Sequence, residues 1–388
     1  MTICMLGRQP ELGLAELEML YGSDHVRPVG ETCALVDAAV DFKRLGGSIK
    51  AAEFITSISS VERSQVFKKV ARLLPAALRA LPAEGKVKLG LSTYGFDISP
   101  YELSGEALRL KKIIRGTGRS VRVVPNEAPA LSSAQTYHNS LAGNLGMELV
   151  IVRDGDKTLV GRVTDVQDID SYRIRDRERP KRDAFVGMLP PKLAQIIVNL
   201  AVGDTKPGVI LDPFCGTGVI LQEALLMGYE AYGSDLSGKM VDYTKINLEW
   251  LKKSHDIPAP KEVVLADATS YQWNLKAQNV VIATETYLGQ PLGGQHPTEE
   301  KLAAIVHETN GIVKEFLKNI VPQLEHGARL CVAVPAWFVN ETTTRLPVTN
   351  ELASLGLICH TFSNDIAPLI YHREDQITGR ELLVLTKE

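Results

Sequence analysis

The stretch Ile210-Leu211-Asp212-Pro213-Phe214-Cys215-Gly216-Thr217-Gly218 decides the fold of this chain. The apolar run from Gly208 to Leu211 predicts a buried strand, and the run from Val219 to Leu226 predicts the helix that follows it. The two glycines therefore fall at a strand-to-helix turn, where the missing side chain lets a ligand approach the backbone closely. This pattern predicts an α/β sheet with a ligand-binding loop behind one of its strands.

Two classes of ligand compete for such a loop, a dinucleotide and S-adenosylmethionine (SAM). A Gly-x-Gly-x-x-Gly loop for dinucleotides needs a third small residue at position 221, and this chain has Leu221 there. Asp212, just ahead of the glycines, attracts the ammonium and sulfonium groups of SAM and repels phosphates. The sequence therefore favours SAM over NAD as the cofactor.

Two further acidic residues end later predicted strands. Asp235 ends the run that begins at Glu230, about 20 positions past the glycines, where doubly wound folds bind a ribose. Asp267 follows the run from Glu262 to Ala266, where a carboxylate can accept a hydrogen bond from the adenine amino group. Because the carboxyl ends of parallel strands meet in one crevice, we predict a cofactor site formed by Asp212, Pro213, Cys215, Gly216, Thr217, Gly218, Asp235, Leu236, Asp267 and Ala268. The alternative is that Asp235 and Asp267 are loop or cap residues.

Length and composition restrict the class of protein. The 388 residues suffice for two or three domains. The hydrophobic content of 45% and charged content of 23% are ordinary for soluble globular proteins. Membrane spans need about 18 apolar residues in a row, and neither such a run nor a signal peptide is evident, so we expect a cytoplasmic protein. The five cysteines are scattered and no cluster has metal-ligand spacing, so we predict neither a disulfide framework nor a metal site.

The formal net charge of −3 hides two basic stretches, Arg109 to Arg122 and Tyr172 to Arg182. Such runs are usually solvated surface. Both precede the predicted cofactor module, however, and arginine can bind a phosphate through two parallel hydrogen bonds. We therefore expect a nucleic-acid backbone as partner, contacted by Arg109, Lys111, Lys112, Arg115, Arg119, Arg175, Arg177, Arg179, Lys181 and Arg182.

The order of predicted elements divides the chain into modules. Residues 1–60 alternate strands and helices, among them a helix from Phe42 to Phe54, as in a small α+β unit. Residues 61–155 form a second such unit, and residues 156–185 form a linker that carries the second basic stretch.

The last module covers residues 186–388 and ends in two strand-like runs, Leu369 to Arg373 and Arg380 to Thr386. The short connection between them contains a glycine, which predicts an antiparallel hairpin. A mostly parallel sheet that closes on such a hairpin is the architecture of Rossmann-like SAM-dependent methyltransferases. We therefore predict this fold for the module.

Four segments of the chain resemble a narrower family. They run from Arg175 to Phe185, from Gly187 to Gln195, from Asp212 to Gly218 and from Gly379 to Leu385. All four resemble the catalytic domain of the THUMP-containing tRNA guanosine-N2 methyltransferases. The resemblance is strong after residue 170 and looser before it.

Upstream, Tyr94-Gly95-Phe96-Asp97 and the run from Arg119 to Val124 look like the RNA-binding THUMP domain of that family. The resemblance implies a ferredoxin-like domain over residues 1–60, a THUMP-like domain over residues 61–155 and a tRNA bound through its acceptor end. It also implies methylation of the exocyclic amine of a guanosine, in the family most often at tRNA position 10. Whether a small activating protein is a further partner stays open.

The chain departs from the family after the predicted strand Val280 to Ala283. The family carries Asp/Asn-Pro-Pro-Tyr there, whereas this chain reads Thr284-Glu285-Thr286-Tyr287-Leu288-Gly289. In the family element, the acid or amide oxygen accepts hydrogen bonds from the target amine, and the aromatic ring stacks on the flipped base. Acceptors that favour the pyramidal amine lower the barrier, because its lone pair is otherwise delocalised into the ring.

Two alignments of this element compete. In one, Glu285 takes the place of the family acid, because both segments read Thr-acid-x-x-x-Gly. In the other, Tyr287 aligns with the aromatic residue and Thr284 takes the place of the acid. We favour Glu285 near the amine with Tyr287 beside the base. Two functional alternatives stay open: an amino methyltransferase acting on DNA or ribosomal RNA, and a SAM-bound RNA-binding protein whose loop has lost catalysis.

Overall fold

The computed structural model describes residues 1–183, 188–257, 260–275, 279–292, 297–340, 342–363, 366 and 368–388. Its chain forms two compact units. The first contains Met1–Leu17, Tyr21–Lys43 and Gly47–Ser171, and the second contains Glu18–Leu20, Arg44–Gly46 and Tyr172–Glu388. Within these described ranges, no helix is long and apolar enough to cross a lipid bilayer.

The first unit is built on a single sheet of eight strands. The strands are β1 Thr2–Leu6, β2 Val26–Val29, β3 Cys33–Val36, β4 Ser48–Ile58, β5 Val87–Tyr94, β6 Val121–Val123, β7 Gly146–Asp154 and β8 Lys157–Val166. Their order in the sheet is β2-β3-β1-β4-β8-β7-β5-β6. The helices of this part of the chain are α1 Pro10–Tyr21, α2 Arg63–Arg79, α3 Pro100–Gly116, α4 Ser133–His138 and α5 Ile169–Arg177. The sheet continues across residue 60, and the expected division into two domains there stays a prediction.

The helix predicted from Phe42 to Phe54 is wrong. Only Phe42–Arg44 forms a single 3₁₀ turn, and Ser48–Ile58 forms strand β4. β4 pairs with β1 on one side and with β8 on the other, so both of its edges are hydrogen-bonded. Pairing with distant strands outweighs the helix preference of a short run such as Ala51-Ala52-Glu53, and local sequence does not report it.

The second unit contains the predicted methyltransferase sheet. Its helices are α6 Pro191–Val202, α7 Val219–Leu226, α8 Gly238–Ser254 and α9 Glu299–Ile320. Its strands are β9 Val209–Asp212, β10 Glu230–Asp235, β11 Glu262–Leu265, β12 Val280–Glu285, β13 Arg329–Val339, β14 Thr342–Arg345, β15 Leu357–Cys359, β16 Ile370–Tyr371 and β17 Thr378–Lys387. The main order is β11-β10-β9-β12-β13-β17-β15, with β14 beside β13 and β16 beside β17.

The strand directions confirm the predicted fold class. β9 to β13 are parallel, whereas β17 runs antiparallel to β13, β15 and β16. From β9 the chain passes to β10 and β11 on one side and later returns to β12 on the other. In open α/β sheets, ligands bind outside the carboxyl ends of the strands at such a reversal of strand order. The fold therefore locates the candidate site at the ends of β9, β10 and β12.

Candidate active site

The glycine loop takes a backbone shape that depends on glycine. Gly216 has a φ of 51° and Gly218 a φ of 83°, in the left-handed region that side chains disfavour. A Cβ atom on Gly218 would also lie 2.9 Å from Cγ2 of Thr244. The Thr244 hydroxyl donates to the carbonyl of Gly216 at 2.8 Å, and the amide of Gly218 donates to the carbonyl of Cys215 at 2.7 Å. Helix α8 thus supports the loop through the side chain of Thr244.

Asp235 fastens this loop to the end of β10. One of its carboxylate oxygens accepts a hydrogen bond from the amide of Gly216 at 2.9 Å, and the other accepts one from the amide of Ser237 at 2.8 Å. Burial raises the pKa of Asp235, and these two amides act against that rise. A carboxylate has about four acceptor positions, so the two amides leave room for ribose hydroxyls. The neighbouring Leu236 side chain is exposed.

Asp267 lies just past the end of β11, at the same edge of the sheet as Asp235. Its Oδ1 accepts hydrogen bonds from the amide and the hydroxyl of Thr269, at 2.9 and 2.7 Å. These bonds lower the pKa of Asp267. Ala268 is buried, and its carbonyl accepts a hydrogen bond from Asn319. The carboxylate is therefore held ionised on an exposed rim.

Asp212 is the buried acid of the group, with 1% of its surface exposed. The Thr284 hydroxyl donates to its Oδ1 at 2.6 Å, and the amide of Phe214 donates to the same atom at 3.2 Å. Burial raises the pKa of Asp212 to about 8, against the effect of these two donors. Asp212 is therefore the carboxyl group whose charge depends on what binds beside it.

Thr284 does not occupy the position that the second alignment assigned to it. Its side chain is fully buried, and its hydroxyl is bonded to Asp212. A substrate amine cannot reach a hydroxyl in that position. The predicted contact between Thr284 and the base is therefore replaced by a hydrogen bond that supports Asp212. This pairing could not be predicted from local sequence, because the two residues are 72 positions apart.

Glu285 ends strand β12, next to the end of β9. Its side chain is 14% exposed, and its Oε1 accepts a hydrogen bond from Nε of Arg380 at 2.6 Å. Arg380 lies on β17 and is itself buried. The negative charge of Glu285 contributes to the raised pKa of Asp212, which indicates that these two acids are close. Glu285 therefore combines a fixed orientation with limited access to the outside.

Tyr287 follows two residues later and leaves part of its ring exposed. Between the two, Thr286 is buried, and its amide donates to the carbonyl of Ala333 on β13 at 2.9 Å. Gly289 closes the segment with a φ of 86°, and a Cβ atom there would lie 2.7 Å from Cγ2 of Ile305. The backbone on both sides of Tyr287 is thus fixed, while its ring faces outward.

Cys215 has the properties of a packing residue. Its side chain is buried, and its Sγ lies 3.7 Å from the hydroxyl of Thr244. Burial raises the pKa of this thiol well above its usual value, so it is not a thiolate nucleophile at neutral pH. The part of the chain that the structure describes contains no group of three or more His, Cys, Asp or Glu side chains able to hold a metal ion.

The first basic stretch lies on the surface of the first unit. Arg109, Lys112 and Arg115 are exposed on α3, and Lys111 is half-buried beside them. Arg109 forms an ion pair with Glu106 one turn away. Arg119 is half-buried, and its Nε and Nη2 atoms have no hydrogen-bond partner among the described residues. The exposed side chains of α3 are available for an RNA backbone.

The second basic stretch is only partly on the surface. Arg177 and Arg182 are exposed, and Lys181 is half-buried with its Nζ 5.3 Å from the centre of the Tyr243 ring. Two of the predicted RNA contacts are wrong, because the side chains are buried. Arg175 is 8% exposed and forms an ion pair with Glu223, and Arg179 is 3% exposed. Neither guanidinium can contact an RNA backbone on the surface.

The residues at this edge fit SAM by their chemistry. A side chain on Gly218 would collide with Thr244, and three carboxyl groups of different burial follow the ends of the adjacent strands β9, β10 and β11. An acidic edge suits a ligand with an ammonium, a ribose and a sulfonium, and it opposes a pyrophosphate.

Comparison with known protein families supports this interpretation. A family model described as an RMKL-like methyltransferase domain matches residues 179–336. The tRNA (guanine(10)-N2)-dimethyltransferase of Methanothermobacter thermautotrophicus is 33% identical over 169 residues, which are 43% of this chain and 45% of that protein. The same-named enzyme of Pyrococcus abyssi is 29% identical over 53% of this chain and 60% of its own. The chain thus spans about half the length of these relatives.

A third relative is covered more fully. The probable tRNA (guanine(10)-N2)-dimethyltransferase of Methanothermococcus thermolithotrophicus is 32% identical over 124 residues, which are 32% of this chain and 74% of that protein. Among solved structures, TrmN from Thermus thermophilus matches 100% of this chain and 99% of its own, with a TM-score of 0.52 and 19% identity. A putative methyltransferase complexed with SAH covers similar shares, with a TM-score of 0.50 and 11% identity. At such identities these two structures support the fold alone.

Proposed function

Because this chain belongs to the tRNA (guanine(10)-N2)-dimethyltransferase family, we propose that it transfers a methyl group from SAM to the N2 amine of a guanosine in tRNA. The observation that carries the proposal is the position of Glu285. It ends β12 beside the end of β9, which supports a role as acceptor for the amine next to the proposed SAM site at the carboxyl ends of β9, β10 and β11. By resemblance, the target is the guanosine at position 10.

The donor side of the crevice is assigned to the glycine loop and three acids. SAM supplies an electrophilic methyl group on its sulfonium. Asp235 would accept hydrogen bonds from the ribose hydroxyls, and Asp267 from the adenine amino group. Asp212 would lie beside the ammonium, whose positive charge favours the ionised carboxylate and lowers its raised pKa. The glycines let the ligand lie directly on the backbone.

The acceptor side is assigned to Glu285. Its carboxylate would accept a hydrogen bond from the N2 amine, which directs the nitrogen lone pair toward the methyl group. Transfer of the methyl group would leave a positive charge on the nitrogen, which must then lose a proton. The Glu285 carboxylate would take this proton, and the hydrogen bond from Arg380 to Oε1 supports the proposal by fixing the orientation of the group.

The remaining assignments concern the base and the RNA. Tyr287 would stack on the flipped guanine, and the basic side chains of α3 would hold the phosphate backbone. We propose that the first unit contains the ferredoxin-like and THUMP-like domains that the resemblance implies. We also propose a cytoplasmic location, and the activity of the chain alone tests whether a small activating protein is required.

The experiment is incorporation of labelled methyl groups from SAM into unmodified tRNA transcripts, followed by nucleoside analysis. We expect labelled N2-methylguanosine or its dimethyl form, and no label in a transcript with adenosine at position 10. Duplex DNA and ribosomal RNA fragments at the same salt concentration serve as competing substrates. Binding of both SAH and tRNA without any methyl transfer would overturn the proposed catalysis. Label that persists in the adenosine transcript would overturn the position.

A further inference from the structure

Arg179 is a buried cation. It is 3% exposed, and its Nε, Nη1 and Nη2 atoms have no hydrogen-bond acceptor within the described part of the chain. Among the residues that the structure describes, the other buried basic side chains each pair with a carboxylate: Lys50 with Glu148, Arg175 with Glu223, and Arg380 with Glu285. A buried charge that lacks a counter-charge is strongly unfavourable. The position therefore calls for an anion.

The two acids whose charges act on Arg179, Asp176 and Glu223, do not supply that anion. Glu223 already accepts hydrogen bonds from Arg175 at both carboxylate oxygens, at 2.7 and 3.3 Å. Asp176 and Glu223 act on Arg179 only through space. Burial has the largest effect on the pKa of this guanidinium and lowers it. The charged form has lost its hydration, and hydrogen bonds with the described residues have not made up for that loss.

The segment that carries Arg179 runs beside the glycine loop. Two residues further on, the amide of Lys181 donates to Oδ1 of Asn247, and the Lys181 carbonyl accepts from Nδ2 of Asn247, each at 2.9 Å. The same Nδ2 donates to the carbonyl of Thr217 in the loop, also at 2.9 Å. Asn247 is fully buried and belongs to α8. One side chain thus joins the Arg179 segment to the donor crevice.

We propose that Arg179 binds the α-carboxylate of the methionine part of SAM. The inference rests on the proposed function, because it deepens the donor site of that function. SAM carries one carboxylate, and the residues assigned to the rest of the ligand are acids that repel it: Asp212, Asp235 and Asp267. A guanidinium can hold a carboxylate through two parallel hydrogen bonds.

A phosphate of the RNA backbone is the competing anion, and burial separates the two. A long, solvated polyanion cannot approach a side chain that is 3% exposed, whereas the segment that carries Arg179 is joined through Asn247 to the glycine loop, on which SAM is proposed to lie. The exposed Arg177 and Arg182 of the same stretch remain available to RNA. Arg179 thus belongs to the donor site and not to the RNA surface.

The test compares two ligands that differ only in the carboxylate, SAH and its decarboxylated form. Their binding to the full chain is measured by calorimetry for the wild type, Arg179→Gln, Arg179→Lys and Arg173→Gln. Arg173 lies in the same stretch but is exposed, so its variant is the matched control. We expect Arg179→Gln to weaken SAH binding about 10- to 100-fold, as for a lost charged hydrogen bond, and to leave the decarboxylated ligand unchanged. Arg179→Lys should retain part of the affinity.

Three outcomes would overturn the proposal. The first is an equal loss for both ligands, which would mean a structural role. The second is unchanged SAH binding together with weaker tRNA binding, which would make Arg179 an RNA contact. The third applies if thermal unfolding shows that Arg179→Gln does not fold, because the test then rests on the wild type alone. A wild type that prefers SAH over its decarboxylated form by less than about threefold would contradict the pairing of Arg179 with the carboxylate. A wild type that binds neither ligand would instead refute SAM as the donor.

Discussion

Thr284 and Asp212 are joined by a hydrogen bond of 2.6 Å between the threonine hydroxyl and Oδ1 of the aspartate. This bond links the ends of β12 and β9, the two strands between which the strand order reverses. It also gives the buried carboxyl group a donor that serves its ionised form. Burial nevertheless has the larger effect and raises the pKa of Asp212 to about 8.

This raised pKa predicts a pH dependence of stability in the absence of the donor. When the pKa of a carboxyl group is higher in the folded state than in the unfolded state, its contribution to stability is fully present below the unfolded-state pKa. That contribution is lost as the pH rises through the folded-state pKa. Between about pH 4 and pH 8, Asp212 should therefore reduce the free energy of unfolding by up to about 1.4 kcal/mol per pH unit.

The measurement is denaturant unfolding of the wild type and of Asp212→Asn at pH 6, 7, 8 and 9. Asparagine keeps an oxygen for the Thr284 hydroxyl but does not titrate in this range. The stability of the wild type relative to the variant should fall from pH 6 to pH 8 and then level off. A difference that stays constant over the four pH values would show that Asp212 is already ionised at pH 6.

Glu285→Gln tests the proposed acceptor. Glutamine preserves the shape of the side chain but cannot take a proton, so we expect methyl transfer to fall about 100-fold or more. SAH and tRNA binding should stay within about twofold, because neither is assigned to this carboxylate. The matched control is Glu249→Gln on the exposed face of α8. Full turnover in Glu285→Gln would refute the assigned role, and a loss of SAH binding would move the residue to the donor site.

Tyr287 is expected to act through its ring. Stacking of a base on an aromatic side chain is worth about 1–3 kcal/mol, so Tyr287→Ala should lower kcat/KM for tRNA roughly 5- to 150-fold. Tyr287→Phe should retain most of the activity, since it keeps the ring and loses only the hydroxyl. Steady-state kinetics with varied tRNA concentration distinguish the two variants. Equal losses in both would assign the role to the hydroxyl instead.

Gly218 should be intolerant of any side chain, with Gly228 as its control. Both glycines have positive φ angles near 83°, but a Cβ atom on Gly218 meets Thr244 at 2.9 Å, whereas one on Gly228 meets nothing within 4 Å. Gly228→Ala should cost only backbone strain, about 1–2 kcal/mol. Gly218→Ala should cost more in denaturant unfolding and also weaken SAH binding measured by calorimetry. Equal effects of the two variants on SAH binding would argue against the loop as the donor site.

The exposed side of α3 predicts a salt-dependent RNA affinity. Replacing Lys111, Lys112 and Arg115 by glutamine should weaken tRNA binding and reduce the slope of log affinity against log salt by about 2 to 3. A triple variant of exposed lysines on α8, at positions 245, 252 and 253, removes the same charge from the other unit. Binding titrations at several salt concentrations compare the two. A larger loss in the α8 variant would relocate the RNA surface.

The local elements of the donor site were predictable from the sequence. The predicted helix Val219–Leu226 and strand Glu230–Asp235 agree with the structure at both ends. Both depend on short-range features, namely an apolar run and a glycine turn, which are determined by residues close together in the sequence. The parallel sheet followed from these strands and from the closing hairpin.

The features that sequence reasoning missed depend on residues far apart in the chain. A run such as Arg173 to Lys181 looks solvated, but Arg175 is buried because Glu223 lies opposite, 48 positions later. One signal was present, since Glu223 is a charged residue within the otherwise apolar helix Val219–Leu226. A lone acid in such a helix asks for a basic partner, although the sequence does not identify which one. Strand β4 was missed for the same reason, because its two partner strands define it.

Strand β17 gives the second unit a definite order of completion during synthesis. It is the last strand in sequence, yet it lies between β13 and β15 and carries Arg380, the partner of Glu285. A nascent chain that has emerged only as far as β13 already contains β9 to β12, whose ends carry the proposed donor residues, but it still lacks Arg380, which orients the proposed acceptor Glu285. On the proposed function, SAM binding would therefore become possible before Glu285 is held in the orientation that methyl transfer needs.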